Sequence, residues 1–425
     1  MQKGLKTRLI AHNLLFELKN KGGNFDELLN KVFEKNNLSI SDQKFIHNIV
    51  LSSMRFHIHV SKIVSKYIKK KLTSHQIILF LSSVTQIVYL DFKEYAVVNS
   101  TVELSKNKTF KVYPGFINAV LKKITKDKEL LKKTQINASD LPIWIYNEIK
   151  NIPNDKKKEF LDSIVKKPNL HLVFKKEINK GKFNIKSVYT SKKSLAVDEN
   201  IEIDKIPGYH EGEWWVQDYA TMMPLHILHT GDDLKNKKII DLCAAPGGKS
   251  FQALSAGAEV DIVEISNKRA KILKENLERL KFKKKIIVSD AININNSKKY
   301  DYVLIDAPCS SSGTLRRNPE IFYRKTTPNL KELSRIQESL LDKARELLED
   351  KGIIIYMVCS FLESETSLRI ENFLKKNKNF STKEFTANSE GGIFLNKNGY
   401  LKIFPQTLNG INIDGFFAVQ LKKND

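Results

Sequence analysis

Along the first third of the chain, from Thr7 to about Lys133, apolar residues recur at helical spacing, as in Leu9, Ala11, Leu14, Leu15 and Leu18 and again in Val98, Val102 and Leu104. The most apolar stretch, Ile77 to Leu90, is interrupted by Ser82, Ser83, Thr85 and Gln86. It falls short of the roughly 18–20 apolar residues that a membrane span needs, so it is expected to be a buried helix. The pattern predicts an all-α domain over residues 1–135. It changes between Asn137 and Pro207, where a helical piece at Trp144–Asn151 is followed by a break at Pro168 and β-like runs at Leu170–Phe174 and Ser187–Thr190. Residues 136–207 therefore read as a small α+β connector. From Lys238 onward short apolar runs alternate with amphipathic stretches. Strands are expected at Lys238–Leu242, Val260–Glu264, Ile286–Ser289, Tyr302–Asp306 and Gly352–Met357, then at Tyr400–Phe404 and Gly415–Leu421. Lys268–Leu280 and Glu332–Leu348 are long enough to be crossover helices. This is the pattern of βαβ units around a parallel sheet covered on both faces, a Rossmann-like α/β domain over 208–425 that ends in a hairpin. No fixed-period repeat is evident.

A chain of 425 residues can hold two or three such domains, each with its own core. A hydrophobic fraction of 41% and a charged fraction of 28% exclude a disordered or fibrous chain. The start, Met-Gln-Lys-Gly-Leu-Lys, runs into an amphipathic pattern without the apolar core of a signal peptide, and a cytoplasmic protein with no membrane partner is expected. Lysine plus arginine exceed aspartate plus glutamate by 71 − 48 = +23, and the pI is near 9.6. Such an excess suits a polyanion such as RNA, although lysine-rich composition alone could produce it. The three cysteines, Cys243, Cys309 and Cys359, have neither an even number nor metal-ligand spacing, so neither disulfides nor a metal site are expected.

Chemistry concentrates at the expected strand ends. The first strand runs into Asp241-Leu242-Cys243-Ala244-Ala245-Pro246-Gly247-Gly248-Lys249-Ser250, a small-residue turn that lets a ligand approach the backbone. Its end resembles a phosphate-binding loop, but Cys243 stands where that loop needs its first glycine. Glu264, Asp290 and Asp306 close the next three strands. Ligands of open α/β sheets bind along this carboxyl edge, and an acid about 20 residues past the glycine turn suits ribose hydroxyls, the role expected of Glu264. Any one of these acids could instead be a helix cap. Cys309 and Cys359 leave neighbouring strands at the same edge. A lone cysteine is usually a small buried hydrophobe, whereas two at ligand-facing positions suggest nucleophilic thiol chemistry.

The segments Asp306-Ala307-Pro308-Cys309-Ser310-Ser311-Ser312-Gly313-Thr314 and Val358-Cys359-Ser360-Phe361, with the glycine turn before them, resemble those of bacterial 16S ribosomal RNA (cytosine-5)-methyltransferases of the RsmB type. The resemblance runs nearly end to end. It includes Glu213-Trp214-Trp215-Val216-Gln217-Asp218, Arg316-Arg317-Asn318-Pro319-Glu320 and Asp414-Gly415-Phe416-Phe417. The helical half is similar to NusB-like RNA-binding domains in Glu94-Tyr95-Ala96-Val97-Val98, Val102-Glu103-Leu104 and Gly115-Phe116-Ile117-Asn118-Ala119-Val120-Leu121. Departures are Glu264 where the family more often has Asp, Met357-Val358 before Cys359 where Ala-Thr is common, and Phe174-Lys175 in place of an Arg-rich strand.

The resemblance implies a class I methyltransferase domain that uses S-adenosylmethionine, with Cys359 attacking carbon 6 of cytosine, Asp306 on the ring edge and Cys309 aiding product release. It also implies cofactor contacts from Cys243, Ala244, Ala245, Pro246, Gly247, Gly248, Lys249, Glu264, Asp290 and Asp306. Arg316 and Arg317 are expected to meet RNA phosphates beside the target, and the protein is expected to act as a monomer on an unstacked or single-stranded cytosine. Two rival readings stay open: a transfer-RNA cytosine-5 methyltransferase, which shares the cysteine motifs, and a non-catalytic RNA-binding or antitermination-type factor, which the helical half alone would suit.

Overall fold

The computed structural model describes the chain except for residues 1–2, 24, 180, 182, 200, 229–233, 296, 324–326, 386–391 and 425. The chain divides into two compact units, one of Met1–Val165 with Leu315–Thr327 and one of Lys166–Thr314 with Pro328–Asp425.

The first unit is helical. Its most buried helix, Ser74–Val88, starts at a capping box between Thr73 and Gln76 and is apolar nearly all round. Several of the polar residues that interrupt this stretch find partners: Ser83 donates to the Leu79 carbonyl at 2.8 Å, and Gln86 donates to the Ser82 carbonyl at 3.0 Å and accepts from Arg8 at 2.8 Å. Helices Lys3–Lys21, Ile40–Arg55 and Pro114–Lys126 supply Leu14, Ile49 and Ile117 to the same core. Two helices that the hydrophobic pattern assigns to a connector, Ile143–Ile149 and Asn154–Ser163, belong to this unit. So does a segment from the catalytic half of the sequence: the Tyr323 hydroxyl donates to the Leu15 carbonyl at 3.1 Å, its ring lies 4.6 Å from Lys19 Nζ, and Arg55 donates to the Arg316 carbonyl at 3.0 Å.

The second unit begins with a four-stranded antiparallel sheet in the order β2-β3-β1-β4, where β1 is Leu170–Phe174, β2 Ser187–Ser191, β3 Ser194–Val197 and β4 Trp214–Val216. Since β1 pairs with both β3 and β4, this half of the expected connector is fastened to the residues leading into the larger sheet. That sheet contains β5 (Lys238–Asp241), β6 (Glu259–Glu264), β7 (Ile286–Val288), β8 (Tyr300–Asp306), β9 (Leu348–Val358), β10 (Phe380–Lys383), β11 (Leu401–Ile403) and β14 (Phe416–Lys423). β12 (Gln406–Leu408) and β13 (Ile411–Ile413) form a separate hairpin between β11 and β14. The order is β10-β14-β9-β8-β5-β6-β7, with β11 also on β14; β5 to β9 are parallel and β14 runs antiparallel to β9.

Alternation explains the near-continuous apolar runs. Ile239, Leu304 and Ile355 pack on one face of the sheet, while their neighbours Ile240, Ile305 and Tyr356 pack on the other. The chain proceeds from β5 outward to β6 and β7, then returns to β8 on the other side of β5. This reversal opens a crevice at the carboxyl ends of β5 and β8. Among the described residues no helix is long and apolar enough to cross a membrane, and no group of three or more His, Cys, Asp or Glu could hold a metal ion.

The helical unit buries histidines in neutral form. Burial pushes His12 down to about 4, with His75 adding to the shift, and pushes His59 down to about 4, with Lys62 adding to it. A histidine whose folded pKa is depressed contributes full stability above its unfolded value near 6.5 and loses it as pH falls toward 4, because only the unfolded chain takes the proton. The loss is on the order of 1.4 kcal/mol per pH unit for each such group. Urea unfolding followed by far-ultraviolet circular dichroism is expected to show a lower midpoint at pH 5 than at pH 7. An unchanged midpoint would contradict neutral burial.

Candidate active site

The site begins where β5 ends. The Leu242 amide bonds to the Leu304 carbonyl and the Ala244 amide to the Val263 carbonyl, each at 3.0 Å, so the turn is pinned to both neighbouring strands. Gly247 then adopts φ +117° and a Cβ there would lie 2.1 Å from the Phe251 ring, which admits only glycine. Helix Gly248–Ser255 follows, and its Ser250 hydroxyl donates to buried Asp241 at 2.6 Å. Burial pushes Asp241 up to about 6, against that hydrogen bond.

A cleft of about 340 Å³ opens over this edge, lined by Cys243 and Ala245 from the turn, the three strand-end acids, and both Cys309 and Cys359. Glu264 is buried; its Oε2 accepts from the Ala245 amide at 3.2 Å and its Oε1 from the Ser266 amide at 2.9 Å, with Arg269 at 3.4 Å. Oε1, with one donor, keeps a second lone pair for a ligand hydroxyl. Asp290 caps the short helical turn after β7, accepting from the Ile292 amide at 3.0 Å and from Asn293 Nδ2 at 3.2 Å. Ile265, 62% exposed beside Glu264, and Ile292 add aliphatic walls suited to a flat ring. Neither isoleucine stands out in the sequence, because an apolar residue after a strand reads as core.

Lys249, which the resemblance gives to the cofactor, meets Asp306, another residue of that expected set. Its Nζ lies 2.5 Å from Asp306 and 5.0 Å from the centre of the Phe416 ring. It fixes and electrostatically balances Asp306 at the end of β8, while Gly247 and Gly248 serve the geometry of the turn. Gly248 packs against Gln217, whose Cδ would lie 2.9 Å from an added Cβ.

The two thiols are neighbours, with Cys309 Sγ 3.3 Å from Cys359 Sγ. The hydrogen bond from Cys309 lowers Cys359 below the ordinary thiol value, and Ser311, 3.5 Å away, acts in the same direction. Cys309 is pushed well above it, first by that bond and then by burial. Burial also pushes Cys243 far up, so this third thiol stays protonated. The Cys309 and Cys359 loops are joined beneath the thiols: Ser310 and Ser360 hydroxyls lie 3.2 Å apart, Ser312 and Ser360 hydroxyls 3.0 Å, and the Gly313 amide donates to the Cys359 carbonyl at 3.0 Å. A Cβ on Gly313 would lie 2.1 Å from the Gly415 carbonyl oxygen, so this crossing also requires glycine. Below the serines sits buried Glu365, an acid with no motif to mark it in the sequence.

Arg316 departs from the sequence expectation. It is fully buried within the helical unit, so in this conformation its guanidinium does not face solvent where a phosphate would lie. Arg317, next to it, is exposed. The buried position was not legible because an Arg-Arg pair in a loop reads as surface.

Residues 230–422 match the family model described as 16S rRNA methyltransferase RsmB/F, and residues 5–126 match the NusB family. A relative named ribosomal RNA small subunit methyltransferase B, from Photorhabdus laumondii subsp. laumondii, is 25% identical and the match covers 100% of both chains. One of the same name from Pasteurella multocida is 27% identical, covering 99% of this chain and 96% of its own. The crystal structure of the protein PH0851 superposes with a TM-score of 0.72 at 20% identity, over 100% of this chain and 99% of that one. A methyltransferase homolog protein from Pyrococcus horikoshii superposes with a TM-score of 0.52 at 19% identity, over 65% of this chain and 94% of that one. At such identities the structural likeness speaks to fold alone. The full-length relatives and the two family matches agree with the sheet order and the strand-end site: the C-terminal half of the chain matches the RsmB/F family of 16S rRNA methyltransferases, and the helical half matches the NusB family.

Proposed function

We propose that the protein transfers a methyl group from S-adenosylmethionine to carbon 5 of a cytosine in 16S ribosomal RNA, through a covalent bond between Cys359 and carbon 6. The observation that carries this reading is the pair of thiols 3.3 Å apart, one lowered and one raised in pKa, in the cleft that also holds the strand-end acids.

The cleft fits the cofactor. Glu264 offers acceptors to ribose hydroxyls, Asp290 to the adenine amino group, and Ile265 and Ile292 flank a flat ring. Cys243 and Ala245 border the methionine end, and Ala244, Pro246, Gly247 and Gly248 shape the turn that carries them. When bound, the sulfonium supplies an electrophilic methyl group.

Carbon 5 of cytosine is a poor nucleophile until electron density enters the ring. The Cys359 thiolate forms a bond to carbon 6, and the carbon 5–carbon 6 π pair becomes available at carbon 5 for methylation. Asp306, held by Lys249, accepts a hydrogen bond from the amino edge and so orients the base, and the Lys249 ammonium beside it is the positive charge that offsets the negative charge building on the ring. The carbon-5 proton then passes to a base such as solvent water, its electron pair re-forms the carbon 5–carbon 6 double bond and Cys359 departs as a thiolate; the Cys309 thiol, 3.3 Å away, is within reach to hydrogen-bond the departing sulfur. Both faces of the base must be open, which favours an unstacked or single-stranded target. The helical unit, with Arg317 exposed beside its buried neighbour, supplies phosphate contacts.

Substituting the two cysteines should separate their roles. Cys359→Ala is expected to give neither methylated product nor adduct, whereas Cys309→Ala still attacks and methylates but accumulates RNA-linked enzyme that migrates slowly on a denaturing gel. The opposite pattern would reverse the assignment, and unaltered turnover in both would rule out the covalent route.

Cofactor binding should depend on Glu264. Losing a hydrogen bond to a charged group costs about 1.5–3 kcal/mol, so Glu264→Ala is expected to weaken S-adenosylmethionine binding by roughly 10- to 100-fold in calorimetry. Unchanged affinity would remove Glu264 from the site.

A further inference from the structure

Beneath the two cysteines lies a buried carboxylate that the reaction scheme does not use. Glu365 is 1% exposed and begins no recognisable motif; it sits in the short helical turn Glu363–Glu365, after the loop that carries Cys359. Its side chain reaches across to the other cysteine loop. Oε1 accepts from the Ser310 amide at 2.9 Å and from Gln337 Nε2 at 3.1 Å, and Oε2 accepts from the Ser310 hydroxyl at 2.6 Å. Three donors converging on two oxygens call for an acceptor-only group, which a carboxylate is and an amide is not.

The remaining bonds extend this grip to both loops. Gln337 also donates to the Pro308 carbonyl at 2.9 Å, so the residues on either side of Cys309 are held from below. Ser310 meets Ser360 at 3.2 Å, and the Ser360 hydroxyl accepts from the Leu362 amide at 3.1 Å. The Tyr356 hydroxyl donates to the Glu365 carbonyl at 2.9 Å, tying the backbone of Glu365 to β9, the strand that leads to Cys359. Apart from the partly buried Gln337–Pro308 bond the links are buried, where an unsatisfied donor is costly and a satisfied web has one arrangement.

We propose that Glu365 is a positioning residue for the cysteine pair: by anchoring the amide and hydroxyl of Ser310 it sets the approach of Cys309 to Cys359, and so the step in which Cys309 acts. It touches neither base nor cofactor. Its charge has a second effect in the same direction, since it helps to keep Cys309 protonated, as the donor of the thiol–thiol bond, while Cys359 is the thiolate. This inference rests on the covalent reading above. It differs from a purely structural role in what it predicts: an error in Cys309 placement slows release and leaves attack, methyl transfer and cofactor binding largely intact.

The test uses the full-length enzyme with S-adenosylmethionine and 16S ribosomal RNA, and compares Glu365→Gln, Glu365→Asp and Ser310→Ala with Cys309→Ala. In Glu365→Gln one acceptor oxygen becomes a donor facing donors. Multiple turnover should fall by about ten-fold or more, in proportion to a lost charged hydrogen bond. KM for S-adenosylmethionine should stay within about two-fold of the wild type, and covalent enzyme–RNA adduct should accumulate on denaturing gels. The midpoint for alkylation of Cys359 by iodoacetamide, mapped by mass spectrometry across pH, should move upward as the Cys309 donor is misplaced. Ser310→Ala should shift the same readouts in the same direction by less, and Glu365→Asp should lie between Glu365→Gln and wild type. If Glu365→Gln proves unfolded in thermal melts, Ser310→Ala carries the decision. Adduct trapped by Cys309→Ala but not by Glu365→Gln or Ser310→Ala, with wild-type turnover in both, would overturn the role of Glu365 and leave the covalent reading intact. No adduct from Cys309→Ala would overturn both.

Discussion

The separation of two sulfur atoms, 3.3 Å between Cys309 and Cys359, is the constraint on which the catalytic unit depends. Each thiol packs against one of the two core clusters that flank the sheet, Cys359 on one side and Cys309 on the other. β8 and β9 are adjacent and parallel, so their carboxyl ends deliver both loops to one point, and the buried serines and Glu365 then hold the loops at a fixed spacing. The contact also makes two identical groups unequal. A donor and an acceptor are needed for a thiol–thiol hydrogen bond, so lowering Cys359 and raising Cys309 are one event seen from two ends. Burial by itself would have raised both, as it raises Cys243.

The cofactor side follows from the same sheet. The reversal of strand order at β5 opens the crevice, and the acids that close β6, β7 and β8 stand along it because each terminates a buried strand at the same edge. Lys249 and Asp306 form a hinge point between the two halves of the site. The lysine comes from the glycine turn, the aspartate from the strand that leads to Cys309, and their ion pair at 2.5 Å joins the two. Because both are largely withdrawn from water, breaking one partner would leave a costly charge behind.

Much of this was legible in the sequence, for physical reasons. Strands buried on both faces read as unbroken apolar runs, so β5, β6, β8 and β9 stand out, and their terminal acids and cysteines could be assigned to one edge. β10 has the sequence Phe-Ser-Thr-Lys at the margin of the sheet and carries too little apolar signal to be seen. The hairpin of β12 and β13 breaks what reads as one continuous return between β11 and β14. Glu365, Gln337 and the burial of Arg316 depend on partners tens to hundreds of residues away, which no local pattern encodes. The same holds for Leu315–Thr327, whose membership in the helical unit is decided by Leu15, Lys19 and Arg55. The resemblance gives Lys249 to the cofactor, and the fold adds its ion pair with Asp306, 57 residues away, which no local pattern encodes.

A methyl group on carbon 5 protects a cytosine from bisulfite, so sequencing after bisulfite treatment reads the product of the proposed reaction. Ribosomal and transfer RNA would be compared from cells with the gene, without it, and complemented by Cys359→Ala. One or more cytosines of 16S ribosomal RNA should lose protection when the gene is absent, regain it with the wild-type enzyme and stay unprotected with Cys359→Ala. Loss confined to transfer RNA, or no change in any cytosine, would contradict the proposed function.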